Sequence, residues 1–465
     1  MNKRLARWQE TDRQHFLHPF TDHRELGKRG TRVITSASGV YINDAEGRQI
    51  LDAMSGLWCV NLGYGREELV QAAVKQLREL PYYNSFFQCT HPPAIELSRE
   101  LCAVAPPGFN HVFFTNSGSE ANDTVIRLVR YYWRLLGKPG KQIIIARRNG
   151  YHGSTIGGAS LSGMPWMHAQ AGLPIPDILH IEQPYWFGLA GSGDHAPDPL
   201  AFGRKIAGQL ATAIEEAGVD RVAAFIAEPV QGAGGAIIPP ESYWPEIQRI
   251  CDHYGILLVA DEVITGIGRL GQWFGTQHYG IRPDLIAFAK GVTSGYQPLG
   301  GLLVGDRVAE VLVDRGGEFH HGFTYSGHPV PCAVALATLK VMRDEKLVQH
   351  VHDTVVPAFS DRWRKLGEHH LVGEARSIGL IGGLELVSRK GSRQRFAKEL
   401  KVGERCRDIC IEEGLVMRAV GDTMIVAPPY VISTAELDEL VEKAWRALDR
   451  TMAALGPAHV DARGG

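Results

Sequence analysis

The sequence predicts an α/β protein whose large domain carries a mostly parallel sheet, with a smaller α+β unit assembled from both chain ends. Three observations lead there. First, the apolar runs "HVFFT" (111–115), "QIIIA" (142–146), "VAAFIA" (222–227), "ILLVA" (256–260) and "LIAFA" (285–289) are separated by helix-length segments, the pattern of strands buried on both faces. Second, residues 33–54, "VITSASGVYINDAEGRQILDAM", read as short strands with a D-x-x-G turn. Third, the pattern after residue 340 predicts amphipathic helices around "RSIGLIGGLELV" and "MIVAPPYV". The boundaries follow as 1–70 and 336–465 for the two parts of the small unit and 71–335 for the large domain. There is no tandem repeat, and only the tail "GPAHVDARGG" is expected not to fold.

Composition narrows the function. A chain of 465 residues, 44% hydrophobic and 22% charged, can bury a large core. Its net charge of −2 gives no electrostatic case for nucleic acid or an anionic membrane, so small molecules are the favoured partners. Seven scattered cysteines without a C-x-x-C pair suit reduced thiols. The N-terminus has basic residues but no apolar run behind them, and no segment approaches the roughly 20 apolar residues of a membrane span. A cytoplasmic location is expected.

In parallel α/β sheets ligands sit beyond the carboxyl ends of the strands. After "HVFFT" comes "NSGSEAN" (116–122), then apolar positions Val125, Leu128, Val129, Tyr132 and Leu136 on one helix face. Gly118 would allow close backbone approach, Ser119 offers a hydroxyl, and the helix N-terminus could hold a phosphate; Ser and Asn also simply cap helices. "ILLVADEVITG" ends its strand on Asp261 and Glu262, where a buried carboxylate needs a partner: a cofactor, an ion pair or a metal. Glu228 in "EPVQG" is equally ambiguous. "NGYHGST" supplies Tyr151 and His152, either stacking groups or ordinary turn residues. The run "LIAFA" stops on Lys290, a surface amine or something more specific. A phosphate loop, a buried acid and a buried amine at successive strand ends together suit pyridoxal 5'-phosphate (PLP), whose aldehyde forms a Schiff base with a lysine and whose ring nitrogen takes an acidic partner.

At this level of detail the sequence resembles the class III aminotransferases of PLP fold type I, and among them the ω-transaminases that use pyruvate. The resemblance runs from "HPFTD" (18–22) through "GLWCVNLGYG", "NSGSEAN", "NGYHGST", "EPVQGAGG", "ADEVITGIGRLG" and "FAKGVTSGYQPLGG" to "GFTYSGHP" and "MRAVGDTMIVAPP" (417–429). It implies that Lys290 forms the Schiff base, that Asp261 pairs with the ring nitrogen, that Ser117, Gly118 and Ser119 hold the phosphate, and that Tyr151 and Val263 cover the two ring faces. His152 and Glu228 join the cofactor set. Thr324 of a second subunit would complete the phosphate site, so a homodimer, or a tetramer, is implied. Phe20, Leu57, Trp58, Ala233 and a neighbouring chain's Phe86 would wall the substrate pocket with Tyr151, and Arg418 would stand at its mouth as a movable carboxylate anchor.

The implied activity is transfer of an amino group from a primary amine or diamine to pyruvate. The alternatives are a β-alanine or other ω-amino acid aminotransferase, a same-fold aminomutase or decarboxylase, and a non-catalytic PLP- or metal-binding protein. No metal site is expected: His320–His321 and His369–His370 are adjacent pairs, and neighbouring side chains diverge on strands. Thr265, Leu270 and Arg148 depart from the residues common in the family, which bears on substrate fit rather than on cofactor chemistry.

Overall fold

Strand Leu257–Asp261 lies at the centre of a seven-stranded sheet, and every residue of it is buried. In a computed structural model that describes residues 3–190 and 197–456, the order across this sheet is Phe109–Thr115, Gly300–Gly305, Leu285–Phe288, Leu257–Asp261, Val222–Ala227, Ile143–Arg147, Ile178–Ile181. All neighbours pair in parallel except Gly300–Gly305, which is antiparallel to both of its neighbours. The five anticipated strands are all present. Ile178–Ile181 and Gly300–Gly305 are additional. Gly300 belongs where it is because a Cβ there would stand 2.6 Å from the Ser117 carbonyl oxygen, so this position lets the phosphate-type turn close onto the sheet.

Helix Gly118–Leu135 packs Val125, Leu128, Val129 and Tyr132 against Ile144, Ile226, Val259 and Leu285, as the periodicity indicates. On the other face, helices Pro199–Ala217 and Tyr243–Tyr254 bring Ile206, Leu210, Trp244 and Ile247 onto Ile145, Phe225 and Leu258. Each such fully buried side chain contributes about 1.5–3 kcal/mol relative to exposure, enough to hold the strand ends in fixed register. Asp261 opposes Ala287 across the ladder.

The N-terminal strands Ile34–Ser38, Tyr41–Asp44 and Gln49–Asp52 form an antiparallel run, and its D-x-x-G turn is closed by Asp44 Oδ1 accepting from the Glu46 and Arg48 N–H groups. Leu415–Val416 adds in parallel to Gln49–Asp52, joining the two ends of the chain in one sheet. The C-terminal part differs from the helical expectation. "RSIGLIGGLELV" holds strands Val372–Ile378 and Ile381–Leu386, and "MIVAPPYV" begins in strand Thr423–Val426. Ile381–Leu386 is buried on both faces, so it has no polar side to reveal a period of two. The helices lie on either side, at Val356–Lys365, Val402–Glu412 and Thr434–Leu455.

Apart from Gly456, the tail expected not to fold lies outside the described residues. Among the described residues no helix is long and apolar enough to cross a membrane.

Candidate active site

A cavity of about 840 Å³ opens at the carboxyl ends of the parallel strands. Its wall includes every site residue anticipated from sequence except Phe86 and Thr324. Those two lie elsewhere on the chain. Thr324 is exposed, with its carbonyl accepting from Tyr82 Oη at 2.7 Å. Phe86 packs beside the same loop, since a Cβ on Gly322 would stand 3.2 Å from its ring.

Lys290 follows strand Leu285–Phe288 and opens a short 3₁₀ turn, Lys290–Thr293. Its φ is +46°, a left-handed conformation that costs a side-chain-bearing residue roughly 1–2 kcal/mol. The turn is fixed by Val292 N–H donating to Ala289 O at 3.2 Å and Ser294 N–H to Gly291 O at 3.0 Å, and the backbone so held delivers the amine to the cavity. Burial lowers the Lys290 pKa from the ordinary lysine value, against the opposing charges of Asp261 and Glu228. The neutral, nucleophilic amine is favoured as a result.

Asp261 ends the central strand, 3% exposed. Its Oδ2 accepts from His152 Nδ1 at 2.7 Å and Asn122 Nδ2 at 2.8 Å, and Oδ1 from the Val263 N–H at 3.1 Å. Burial opposes its charge, but these three bonds outweigh it and hold the carboxyl below the usual aspartate value. A carboxylate only accepts, so the His152 proton sits on Nδ1. The partner that the sequence demanded is thus a histidine and an amide rather than a lysine or arginine.

Glu228 serves differently. Its Oε1 accepts from the Tyr151 N–H at 3.0 Å and its Oε2 from the Gly232 N–H at 2.9 Å, which ties the Tyr151 turn to the loop carrying Ala233. Burial raises its pKa. Glu262, next to Asp261, accepts from Thr265 Oγ1 at 2.6 Å and from the Gly275 and Thr276 N–H groups at 2.7 and 2.6 Å. Thr265 therefore satisfies a buried carboxylate, Leu270 packs in a core with Ile381 and Ile425, and the exposed Arg148 offers its carbonyl to Gln231 Nε2. None of these three departures lies on the cavity wall.

Ser117 caps helix Gly118–Leu135, its hydroxyl accepting from the Glu120 N–H. The capping reading of the turn holds for this residue. The first-turn N–H groups of Gly118 and Ser119 have no acceptor within the helix. Gly118 is required by packing: a Cβ there would stand 2.9 Å from Val263 Cγ2. Ser119 Oγ accepts from the Ser154 N–H at 3.1 Å, docking the "NGYHGST" turn on the helix.

Trp58, 2% exposed with φ +66°, and the exposed Leu57 and Phe20 line the outer cavity. Phe20 stands edge-on to Tyr151 and to Trp166, at centroid distances of 6.4 and 5.9 Å. Arg418, on strand Arg418–Val420, is half-buried, and its side chain makes no hydrogen bond or ion pair among the described residues; burial lowers its pKa. Sequence reasoning missed Asn122 and Trp166. Asn122 lies three residues beyond Ser119 on the same helix, a spacing that places both on one face.

The wall suits an anionic, aromatic occupant with a basic ring nitrogen. It offers a helix N-terminus at one end, an ionised carboxylate in its floor and an amine beside it, while Asn122 Oδ1 and Trp58 Nε1 are buried without an internal partner. Residues bearing these features fit PLP.

The chain matches the model of the family "Aminotransferase class-III" over residues 26–448. It is 56% identical over 454 residues to the putrescine–pyruvate aminotransferase of Pseudomonas aeruginosa, covering 98% of each chain. Among solved structures it resembles the ω-transaminase of Pseudomonas jessenii in complex with PMP (40% identity, 97% and 99% of the two chains, TM-score 0.93) and a thermostable (S)-enantioselective ω-transaminase from Thermomicrobium roseum (40% identity, 96% and 99%, TM-score 0.92). With a family model spanning most of its length and a relative so similar from end to end, this chain belongs to the class-III aminotransferases.

Proposed function

We propose that the chain moves the amino group of a primary amine or diamine to pyruvate, releasing an aldehyde or ketone and alanine, with PLP as cofactor and two copies of the chain as the active unit. The observation that carries this reading is the meeting, in one cavity, of a pKa-lowered lysine, an ionised buried aspartate and a helix N-terminus. The similarity to a putrescine–pyruvate aminotransferase supports the substrate pair, and a relative solved with PMP supports the cofactor.

Bound PLP supplies an aldehyde that takes up the amine and a ring that delocalises the electrons of the broken C–H bond. The protein does the rest. Lys290 Nζ, its pKa lowered by burial, takes the proton from the substrate carbon and delivers it within the same cavity. Asp261 would hold a protonated ring nitrogen, its carboxylate oriented by His152 and Asn122. Gly118 and Ser119 bind the phosphate through the helix N-terminus. Tyr151 and Val263, on the same cavity wall, would hold the ring in place. Phe20, Leu57, Trp58 and Ala233 exclude water around the donor. We assign residues 71–335 to the cofactor domain and 1–70 with 336–465 to the small domain.

The test is a panel of putrescine, β-alanine and aryl-alkyl amine donors with pyruvate, reading alanine formation. Absence of alanine with every donor would reject the reading, and regeneration of activity without any keto acid would favour an aminomutase.

Two predictions arise here. Arg418 is unpaired on the wall, so it can fork onto pyruvate's carboxylate and swing away from an uncharged donor. Arg418→Ala should raise the pyruvate KM by about 10- to 150-fold, the equivalent of about 1.5–3 kcal/mol for charge-assisted hydrogen bonds, while the single-turnover reaction with a monoamine changes little. Stopped-flow of the separate half-reactions decides it, and equal losses in both would remove Arg418 from carboxylate recognition.

The second concerns Thr324, which is absent from its own chain's cavity. If its hydroxyl completes the site of the second copy, Thr324→Ala should weaken cofactor retention by about 0.5–1.5 kcal/mol, one hydrogen bond. Mixing it with a Lys290→Ala chain should yield hybrid dimers with one site carrying both lesions and one site carrying neither. Activity that does not change after subunit exchange would place Thr324 in its own chain's function only.

A further inference from the structure

Both carboxylates on the cavity wall are already engaged: Asp261 by His152, Asn122 and Val263, Glu228 by Tyr151 and Gly232. Among the described residues, the basic side chains on that wall besides Lys290 and His152 are two guanidiniums, Arg407 and Arg418. Arg407 projects from helix Val402–Glu412 and keeps 37% of its side chain in solvent. Its Nε and Nη2 donate to Asp408 Oδ1 at 3.0 and 2.8 Å, which leaves Nη1 without a partner among the described residues. Asp408 is shared, because its Oδ2 also accepts from Arg29 Nη1 at 2.7 Å. One carboxylate thus serves two arginines, and with the unpaired Arg418 the rim keeps an excess of positive charge.

We infer that Arg407 is an anion-capture residue, an outer subsite that takes the carboxylate of the incoming keto acid and hands it inward to Arg418. The inference rests on the proposed use of pyruvate and adds a residue and a step to it. Asp408 fixes the guanidinium plane, and the free Nη1 edge and the surplus charge attract the anion. A pocket mouth of one sign concentrates a counter-charged substrate and raises its association rate. Solvent exposure makes the attraction screenable, since the Debye length is about 10 Å at 0.1 M salt. A neutral or cationic donor gains nothing from the same groups.

The experiment uses holoenzyme and follows each half-reaction by stopped-flow between about 20 and 200 mM sodium chloride. With the aminated enzyme and pyruvate, the second-order constant should fall several-fold with salt, whereas that of the PLP form with an aryl-alkyl monoamine, largely protonated in solution, should not fall. Arg407→Gln should lower the low-salt pyruvate constant by about 5- to 10-fold and flatten its salt dependence, leaving the limiting rate at saturating pyruvate unchanged and not slowing the amine half-reaction. Arg407→Lys, which keeps the charge, should recover most of the loss; a merely structural role would respond to neither charge nor salt. A salt-insensitive pyruvate reaction, or equal losses in both halves, overturns the capture role while leaving pyruvate as acceptor. An enzyme that turns over amines but ignores pyruvate overturns the acceptor reading itself and this subsite with it.

Discussion

Lys290→Ala should abolish turnover, by at least about 10³-fold, because in the proposed function Lys290 moves the proton, a role worth about 10²–10⁴-fold by itself, and would hold the cofactor covalently. Borohydride treatment followed by unfolding should leave the cofactor's mass on the wild-type chain and none on the variant, while cofactor still binds the variant through its phosphate. The fold can be controlled for internally. Residue 290 has a left-handed backbone, strained for lysine and alanine alike, so Lys290→Gly should be about 1 kcal/mol more stable than Lys290→Ala and equally inactive. An inactive glycine variant with the higher melting temperature ties the loss to chemistry. Wild-type turnover in either variant, or cofactor covalently retained by them, would remove Lys290 from the mechanism.

Lys290 and Asp261 could be read from sequence for one physical reason. A run of apolar residues that ends abruptly on an ionisable one fixes both the strand and the end at which ligands gather. Asn122 could not, because an asparagine in the first turns of a helix is indistinguishable from a capping residue until His152 and Asp261 are seen to converge on it. Strand direction was likewise hidden. Gly300–Gly305 is as apolar as its neighbours, and only its pairing shows it to be antiparallel. In the C-terminal part, Ile381–Leu386 lacked the alternation that marks a strand with one wet face, and only its paired glycines, Gly382 and Gly383, spoke against a helix. Trp166 reaches the cavity from a short helix, Pro165–Ala171, outside every motif. Phe86 and Thr324 came from family resemblance alone, and the single chain leaves them off the cavity wall.

Asp261→Asn should lower kcat/KM by about 10²–10⁴-fold with only a modest loss of cofactor affinity. The carboxylate's position is set by three donors, and in the proposed function its charge would hold a protonated ring nitrogen. Removing one member of a buried, charge-assisted pair costs about 3–5 kcal/mol, and each 1.36 kcal/mol of barrier is tenfold in rate. Phosphate binding at the helix N-terminus is untouched, so retention suffers less than turnover. The amide brings a second difficulty. Asparagine accepts through one oxygen and donates through its nitrogen, so it cannot accept from both His152 Nδ1–H and Asn122 Nδ2–H on one side and Val263 N–H on the other without turning its NH₂ toward a donor. The pH dependence separates charge from geometry. In the wild type the folded-state pKa of Asp261 is depressed, so its contribution to stability is complete above the unfolded aspartate value near 3.9 and is lost as pH falls through the lower folded value. Asp261→Asn should erase that part of the acid destabilisation, giving a melting temperature less dependent on pH below about 4, where the wild type loses ground. A variant with near-wild-type turnover, or with an unchanged acid transition, would show that the charge of Asp261 is neither the partner of the cofactor ring nor ionised in the folded protein.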